Sequence, residues 1–219
     1  MEKFLGVLFC GGRGTRLGEI SRYVSKPLIP VYDRPAFMFG LELLHRSRLI
    51  SDIIILTNSE NDKALSKAGV PTLIQNDKHV HDMYTGWEFV KKKTRTKSHG
   101  VLVPSDNISE ISADKLIRTF LRKRSDFLFS VSRNINRKKL KQMGTFDPVR
   151  KRFSYKPALP YSHGVIAPFI ISNGLKFRDD KELFESGSSH FVEYEGIWND
   201  IGDPESLYEA ILWRRKSLK

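Results

Sequence analysis

The chain has 219 residues, 40% of them hydrophobic and 28% charged, with a formal net charge of +12 and one cysteine. That length suits one well-buried core and falls short of two full domains at roughly 100–200 residues each, and no apolar run approaches the ~18 residues of a membrane span. A single cysteine excludes an internal disulfide framework and any cysteine-cluster metal site.

The start "MEKFLGVLF" carries an acidic residue, a very short apolar stretch and no small-residue cleavage site. No signal peptide is expected, and the default compartment is a reducing, cytoplasmic one. The basic excess lies in "KKKTRTK" (91–97), "RKR" (122–124), "RKKLK" (137–141), "RKR" (150–152) and "WRRKSLK" at the C-terminus. Scattered over turns and helix ends, these runs read as a solvated face, and no zinc-finger or RRM signature accompanies them. Nucleic acid is therefore not the expected partner, while steering of polyphosphates stays open.

In chain order, "KFLGVLFC" reads as a buried strand leading into a glycine-rich loop, and "PAFMFGLELLHRSRL" as a helix with proline near its start. "DIIILTN" and "VPTLIQN" read as short apolar strands, "MYTGWEFVKKK" as a helix and "HGVLVPSDN" as a third core strand. "SADKLIRTFLRKR" has a Ser112 cap and sets Leu116, Ile117, Phe120 and Leu121 on one face, before "DFLFSVSR" returns to strand. Continuous apolar strands alternating with helices predict a Rossmann-like α/β fold: a mostly parallel mixed sheet, helices on both faces, ligands at the carboxyl ends of strands.

Beyond residue 143 the grammar changes. "GTFDPVRKRFSYKP" reads as two strands around a basic turn, "SHGVIAPFIIS" as a strand, "KELFESG" as a short helix, "HFVEYEG" as a strand, and "DPESLYEAILWRRK" as a terminal helix capped by Asp203. The expectation is one domain over 1–219: a first part at about 1–130, a second part with a small β elaboration at about 131–202, and the terminal helix at about 203–217.

The loop "LFCGGRGTRLGE" (8–19) admits three readings. A dinucleotide site wants G-x-G-x-x-G with an acidic residue roughly 20 positions on; Gly12, Gly14 and Asp33 fit, but Leu17 takes the third glycine position. A Walker loop wants a lysine that "GGRGTRLG" lacks. A tight turn without a ligand is the third. Arg16 in the loop and Lys26 in "SKPLIPV" favour a cradle for several phosphates in a row.

"GGRGTRL" (11–17) followed by "SKPLIPVYDRP" (25–35) resembles the signature of the sugar-1-phosphate nucleotidyltransferases, in particular their glucose-1-phosphate thymidylyltransferase branch. "VPSDN" (103–107), "GTFD…FSYKP" (144–157) and "GIWNDIGDPESLYEA" (196–210) are similar to further segments of that family, in its order. The resemblance implies attack by a sugar 1-phosphate on a nucleoside triphosphate with release of pyrophosphate, and Mg²⁺ as cofactor. It places the backbone of Gly11, Gly12, Gly14 and Thr15 around the triphosphate, Arg16 and Lys26 on its charge, Mg²⁺ on Asp106 and Asp200, Lys156 on the sugar phosphate and Gly164 beside the sugar. Without the resemblance, Asp106 reads equally as a turn residue, Asp200 as an aspartate ahead of the terminal helix, and Lys26 as a surface lysine.

The chain also departs from the family pattern. Tyr155 stands where the family has a glutamate, so one phenol replaces a two-oxygen acceptor. His163 precedes Gly164 and reads more readily as structural. "IQNDKHVHDMYTGWEFV" lacks the usual helix entry of the base-reading segment, yet Gln75 offers an amide to a pyrimidine edge, with dTTP ahead of CTP or UTP. His79 and His81 lack metal spacing, and Cys10 reads as a small packed hydrophobe. Two rivals remain: a noncatalytic nucleotide-binding relative, and a cytidylyltransferase acting on a non-sugar phosphate. No appended acyl-transfer or allosteric domain is expected, and a homo-oligomer is compatible with the reading.

Overall fold

A computed structural model describes residues 2–12, 14–75 and 78–218. The strands are β1 (Phe4–Phe9), β2 (Pro30–Val31), β3 (Arg34–Pro35), β4 (Ile50–Thr57), β5 (Thr72–Ile74), β6 (His99–Pro104), β7 (Asn107–Ser109), β8 (Phe127–Ser132), β9 (Gly144–Asp147), β10 (Arg152–Tyr155), β11 (His163–Ile171), β12 (Ser189–Glu193) and β13 (Trp198–Asp200). The α-helices are α1 (Ile20–Tyr23), α2 (Phe37–His45), α3 (Ser59–Leu65), α4 (Met83–Thr94), α5 (Ala113–Lys123), α6 (Arg137–Leu140), α7 (Asp180–Glu185) and α8 (Pro204–Ser217).

The first half builds the parallel ladder its apolar strands predict. Val7 sits opposite Ile54 on β4 and Leu102 on β6, and Leu56 opposite Leu73 on β5. Period-two alternation then sends Phe4, Leu8, Val101 and Val103 to one core, with α2 and α5, and Leu5, Val7 and Leu102 to the other, with Trp87 and Val90 of α4. The face expected on α5 holds for Leu116, Ile117 and Phe120, whereas Leu121 is exposed.

The second half continues the same sheet with reversed direction. β11 pairs antiparallel with β6, β8 and β9, β10 pairs antiparallel with β9, and only β12 returns to a parallel ladder with β8. The nine-stranded sheet is thus mixed. Pro168, which has no N–H to donate, lies in the register shift that β11 makes against β8 between Ile166 and Ile170.

Two short ribbons were not expected from the sequence. β2 pairs β3, and β7 pairs β13 with Asn107 opposite Asp200. Leu17, Ile29, Val31, Ile108, Ile201, Leu207 and Ala210 form a third core cluster that seats the second ribbon and α8 beside the glycine loop. Asp203 caps α8, accepting from the Ser206 N–H at 2.8 Å. At the other end Arg214 donates two 2.8 Å bonds to the two carboxylate oxygens of Asp33, fastening the helix to the β2–β3 turn.

Candidate functional site

Four parallel strands end at one rim, as an open α/β sheet requires of a ligand site. Cys10 N–H donates to Leu56 O at 2.7 Å, Gln75 N–H to Thr57 O at 2.7 Å and Ser105 N–H to Phe9 O at 3.0 Å. These bonds carry the ladder to the last residue of each strand, so Gly11, Asn58, Gln75 and Asp106 emerge together. The Asn61 amide donates to Cys10 O at 3.2 Å, which pins the start of the glycine loop. A cleft of about 440 Å³ opens there, lined by Gly11, Gly12, Gly14, Arg16, Lys26, Gln75 and Asp106, with Phe9, Val80 to Met83, Pro104, Ser105 and Gly202 completing it.

Two of the glycines lie hard against side chains of the cleft. Gly14 has φ +64°, a left-handed conformation costly for other residues, and a Cβ there would stand 2.9 Å from the Cβ of Lys26. A Cβ on Gly11 would fall on the Gln75 carboxamide. The loop therefore lies flat against both the cationic and the amide side chain. Thr15 opens a 3-10 turn through Leu17; its side chain lies outside the described set, as does all of Arg13.

Opposite charges gather beside this nest. Ile201 N–H donates to Asp106 O at 2.9 Å, a bond that continues the β7–β13 ribbon and brings Asp200 next to Asp106. Lys26, only 8% exposed, forms an ion pair with Asp106. Lys139 donates to Asp200 O at 2.8 Å and lies 3.9 Å from its Oδ2. Burial first, then the like charge of Asp106, push the Asp200 carboxyl up to about 6 against the pull of Lys26, Lys139 and Arg16. Two mutually repelling carboxylates are a donor set that a divalent ion would relieve. Among the described residues no third acidic, His or Cys group joins them, which suits an ion that completes its shell with water and phosphate oxygens.

The family described as nucleotidyl transferase matches residues 5–140, more than half of the chain. The chain belongs to the nucleotidyl transferase family. It is 42% identical over 62 residues to the glucose-1-phosphate thymidylyltransferase of Neisseria gonorrhoeae, covering 28% of this chain and 21% of that one. It is 22% identical over 230 aligned positions to the bifunctional protein GlmU of Methanococcus maripaludis strain C5, covering 93% of this chain and 53% of GlmU. The chain thus spans about a fifth to a half of the curated relatives it matches. A Bacillus anthracis structure assigned as a glucose-1-phosphate thymidylyltransferase, solved with sucrose, shares the fold at TM-score 0.80 and 19% identity, covering 97% of this chain and 95% of that one.

In this nucleotidyl transferase the remaining candidates stand apart from the cleft. Tyr155 and Lys156 lie at the end of β10, three strands away from β6 in the sheet. Tyr155 is 60% exposed, and the Lys156 Nζ sits 4.9 Å from its ring centroid, a cation–π contact. Lys156 has φ +47° and its N–H donates to Met143 O at 3.0 Å, so the turn that carries it is fixed. Gly164 pairs with Thr145 and Ser132; its Cβ position is filled by Ile135 and Met143, which gives the residue a packing reason of its own. His163 is buried, with Nδ1 2.8 Å from Ser162 Oγ and Nε2 accepting from Arg133 Nε at 3.4 Å. Burial holds its pKa below the ordinary value, so it is a neutral structural ring at pH 7.

Sequence reasoning missed Lys139, Asn107 and Trp198, which surround the two aspartates. Trp198 Nε1 donates to Asn107 Oδ1 at 2.9 Å, Asn107 Nδ2 donates to Asp106 Oδ1 at 3.0 Å, and Lys139 Nζ lies 5.2 Å from the Trp198 ring centroid. Lys139 is hidden inside a basic run, and nothing local in the sequence links Asn107 to Trp198. His81 and Asp82, which line the cleft at the entry to α4, sit in the segment that departs from the family pattern and carry no signal of their own.

Proposed function

We propose that the cleft catalyses Mg²⁺-dependent transfer of a nucleotidyl group from a nucleoside triphosphate, dTTP first among them, to a sugar 1-phosphate, glucose 1-phosphate first among those. The products are an NDP-sugar and pyrophosphate. The observation that carries this reading is that the Ile201–Asp106 bond sets Asp200 beside Asp106, which lines the cleft with the glycine nest, Arg16 and Lys26. The glucose-1-phosphate thymidylyltransferase relative, matched over about a fifth of its length, supports the substrate class.

In the reaction a phosphate oxygen of the acceptor bonds to the α-phosphorus as the bond from that phosphorus to the β-phosphate bridging oxygen breaks; the electron pair leaves with pyrophosphate. Such transfer needs positioning and charge neutralisation more than covalent help. Backbone N–H groups at Gly11, Gly12, Gly14 and Thr15 hold the triphosphate, and Arg16 and Lys26 neutralise the leaving oxygens. Gln75, packed over Gly11, reads the base edge. Asp106 and Asp200 would hold Mg²⁺, which when bound supplies positive charge to the phosphate oxygens. The resemblance alone assigns the acceptor phosphate to Lys156 and the acceptor's surroundings to Tyr155 and Gly164, which lie outside the cleft lining.

Pyrophosphate release is the test, run with dTTP, CTP, UTP and GTP against a panel of sugar 1-phosphates. Release with dTTP and glucose 1-phosphate, and an NDP-sugar by mass spectrometry, is the expected result; no release with any pair refutes the reading. Tyr155, exposed and stacked under Lys156, favours one second reading, a cytidylyltransferase for a non-sugar phosphate. CTP with phosphocholine belongs in the same panel for that reason.

A further inference from the structure

The ion pair between Lys26 and Asp106 joins two groups to which the proposed reaction gives different partners, the lysine the triphosphate and the aspartate the metal. The ion pair holds both side chains in place. Lys26 is buried in a 3-10 turn followed by Pro27, and its Cβ lies beneath the left-handed turn at Gly14. Asp106 has both carboxylate oxygens engaged, Oδ2 by Lys26 and Oδ1 by the Asn107 amide at 3.0 Å. An incoming divalent ion therefore meets a carboxylate whose charge is already matched by an ammonium. A triphosphate in the glycine nest, which lies along the stem of Lys26, offers that ammonium a stronger counter-charge than a single carboxylate.

We propose that Lys26 is the resident counter-ion of Asp106 and yields it only to an arriving triphosphate, so that Asp106 becomes a metal ligand when nucleotide is present and not before. The inference rests on the proposed function and adds to it a coupling between two ligands. Electrostatics gives the coupling its sign. Removing the ammonium leaves Asp106 without its ion-pair partner beside the like charge of Asp200, which keeps Lys139 and Arg16; that raises affinity for a divalent ion in the absence of nucleotide, while the same change weakens triphosphate binding. A lysine with a merely structural role would move both in the same direction.

The experiment measures Mn²⁺ binding without nucleotide, from the free-ion electron paramagnetic resonance signal, in wild type, K26M and K26R. K26M is expected to bind Mn²⁺ at least about tenfold more tightly than wild type, as fits the loss of a buried counter-charge, with K26R close to wild type and dTTP affinity without metal reduced in K26M. Mn²⁺ affinity in K26M equal to or below wild type, with native circular dichroism, overturns the proposal. Should K26M not fold, K26Q carries the same comparison. Wild type alone gives an independent reading: Mn²⁺ affinity for the protein unchanged by saturation with a non-hydrolysable dTTP analogue also overturns it. Pyrophosphate release by wild type with no gain of Mn²⁺ affinity in K26M would remove the counter-ion role and leave the enzymatic reading standing; the gain without any pyrophosphate release would do the reverse.

Discussion

The main-chain N–H of Ile201 lies 2.9 Å from the carbonyl oxygen of Asp106, and through that bond a residue near the C-terminus completes a site begun by the third core strand. Backbone pairing, not side-chain contact, sets the separation of the two acidic groups. The Lys139 bond to Asp200 O holds the same strand from its other side.

Asp200→Asn is expected to abolish turnover by about 10²-fold or more, the scale for removing one charge-stabilising group from a phosphoryl-transfer site. Because Asp200 is destabilised by burial and by Asp106, the metal-free variant should melt no lower than wild type. A thermal scan in EDTA beside an activity assay checks both; a lower melting temperature together with retained turnover would contradict the placement of this residue.

Two alanine substitutions in the glycine nest should separate stability from binding. Gly14→Ala forces φ +64° on a residue with a Cβ and crowds Lys26, so it should cost about 1–3 kcal/mol of folding stability. Gly11→Ala meets only the end of the Gln75 side chain, so it should fold normally and raise KM for the triphosphate. Urea melts and steady-state kinetics on both proteins read the contrast.

Phe184 lies at the centre of an aromatic cluster, stacked on Phe153 at 4.1 Å and edge-on to Phe129 at 4.8 Å and Phe127 at 5.1 Å. Phe184→Ala should destabilise by ~3–5 kcal/mol. Phe153 belongs to β10, which also carries Tyr155, so KM for the sugar phosphate should rise more than KM for the triphosphate.

The clasp between Arg214 and Asp33 should appear in acid titration. Arg214 first, and then Arg34, hold the Asp33 carboxyl well below the usual carboxylate range. The native state thus binds this proton less readily than the unfolded chain does. Its contribution is complete at neutral pH and is lost as pH falls through the ordinary Asp value of about 4 toward the lower folded value. Arg214→Met should flatten the dependence of melting temperature on pH between 5 and 3, as read by circular dichroism.

Continuous apolar runs such as Phe4–Phe9 and His99–Pro104 made the parallel half of the sheet legible, since only strands covered on both faces carry them. The glycine nest was legible because glycine marks conformations and approaches closed to other residues. The β7–β13 ribbon was not: three residues per strand hold no periodicity, and the partners are about ninety positions apart. Helix α3 escaped for a related reason, burying only Asn61 and Leu65 in an otherwise polar turn. Asp200 came from family resemblance, and Lys139 came from nothing local, because a lysine inside a basic run gives no sign of which one turns inward.

The ribbon between β7 and β13 also gives the molecule an order of assembly. A nascent chain that has emerged only as far as β12 already owns the glycine nest, Lys26 and Asp106, but none of the strand that supplies the second acid. The second acid arrives only when the last strand docks and α8 locks it against the β2–β3 turn.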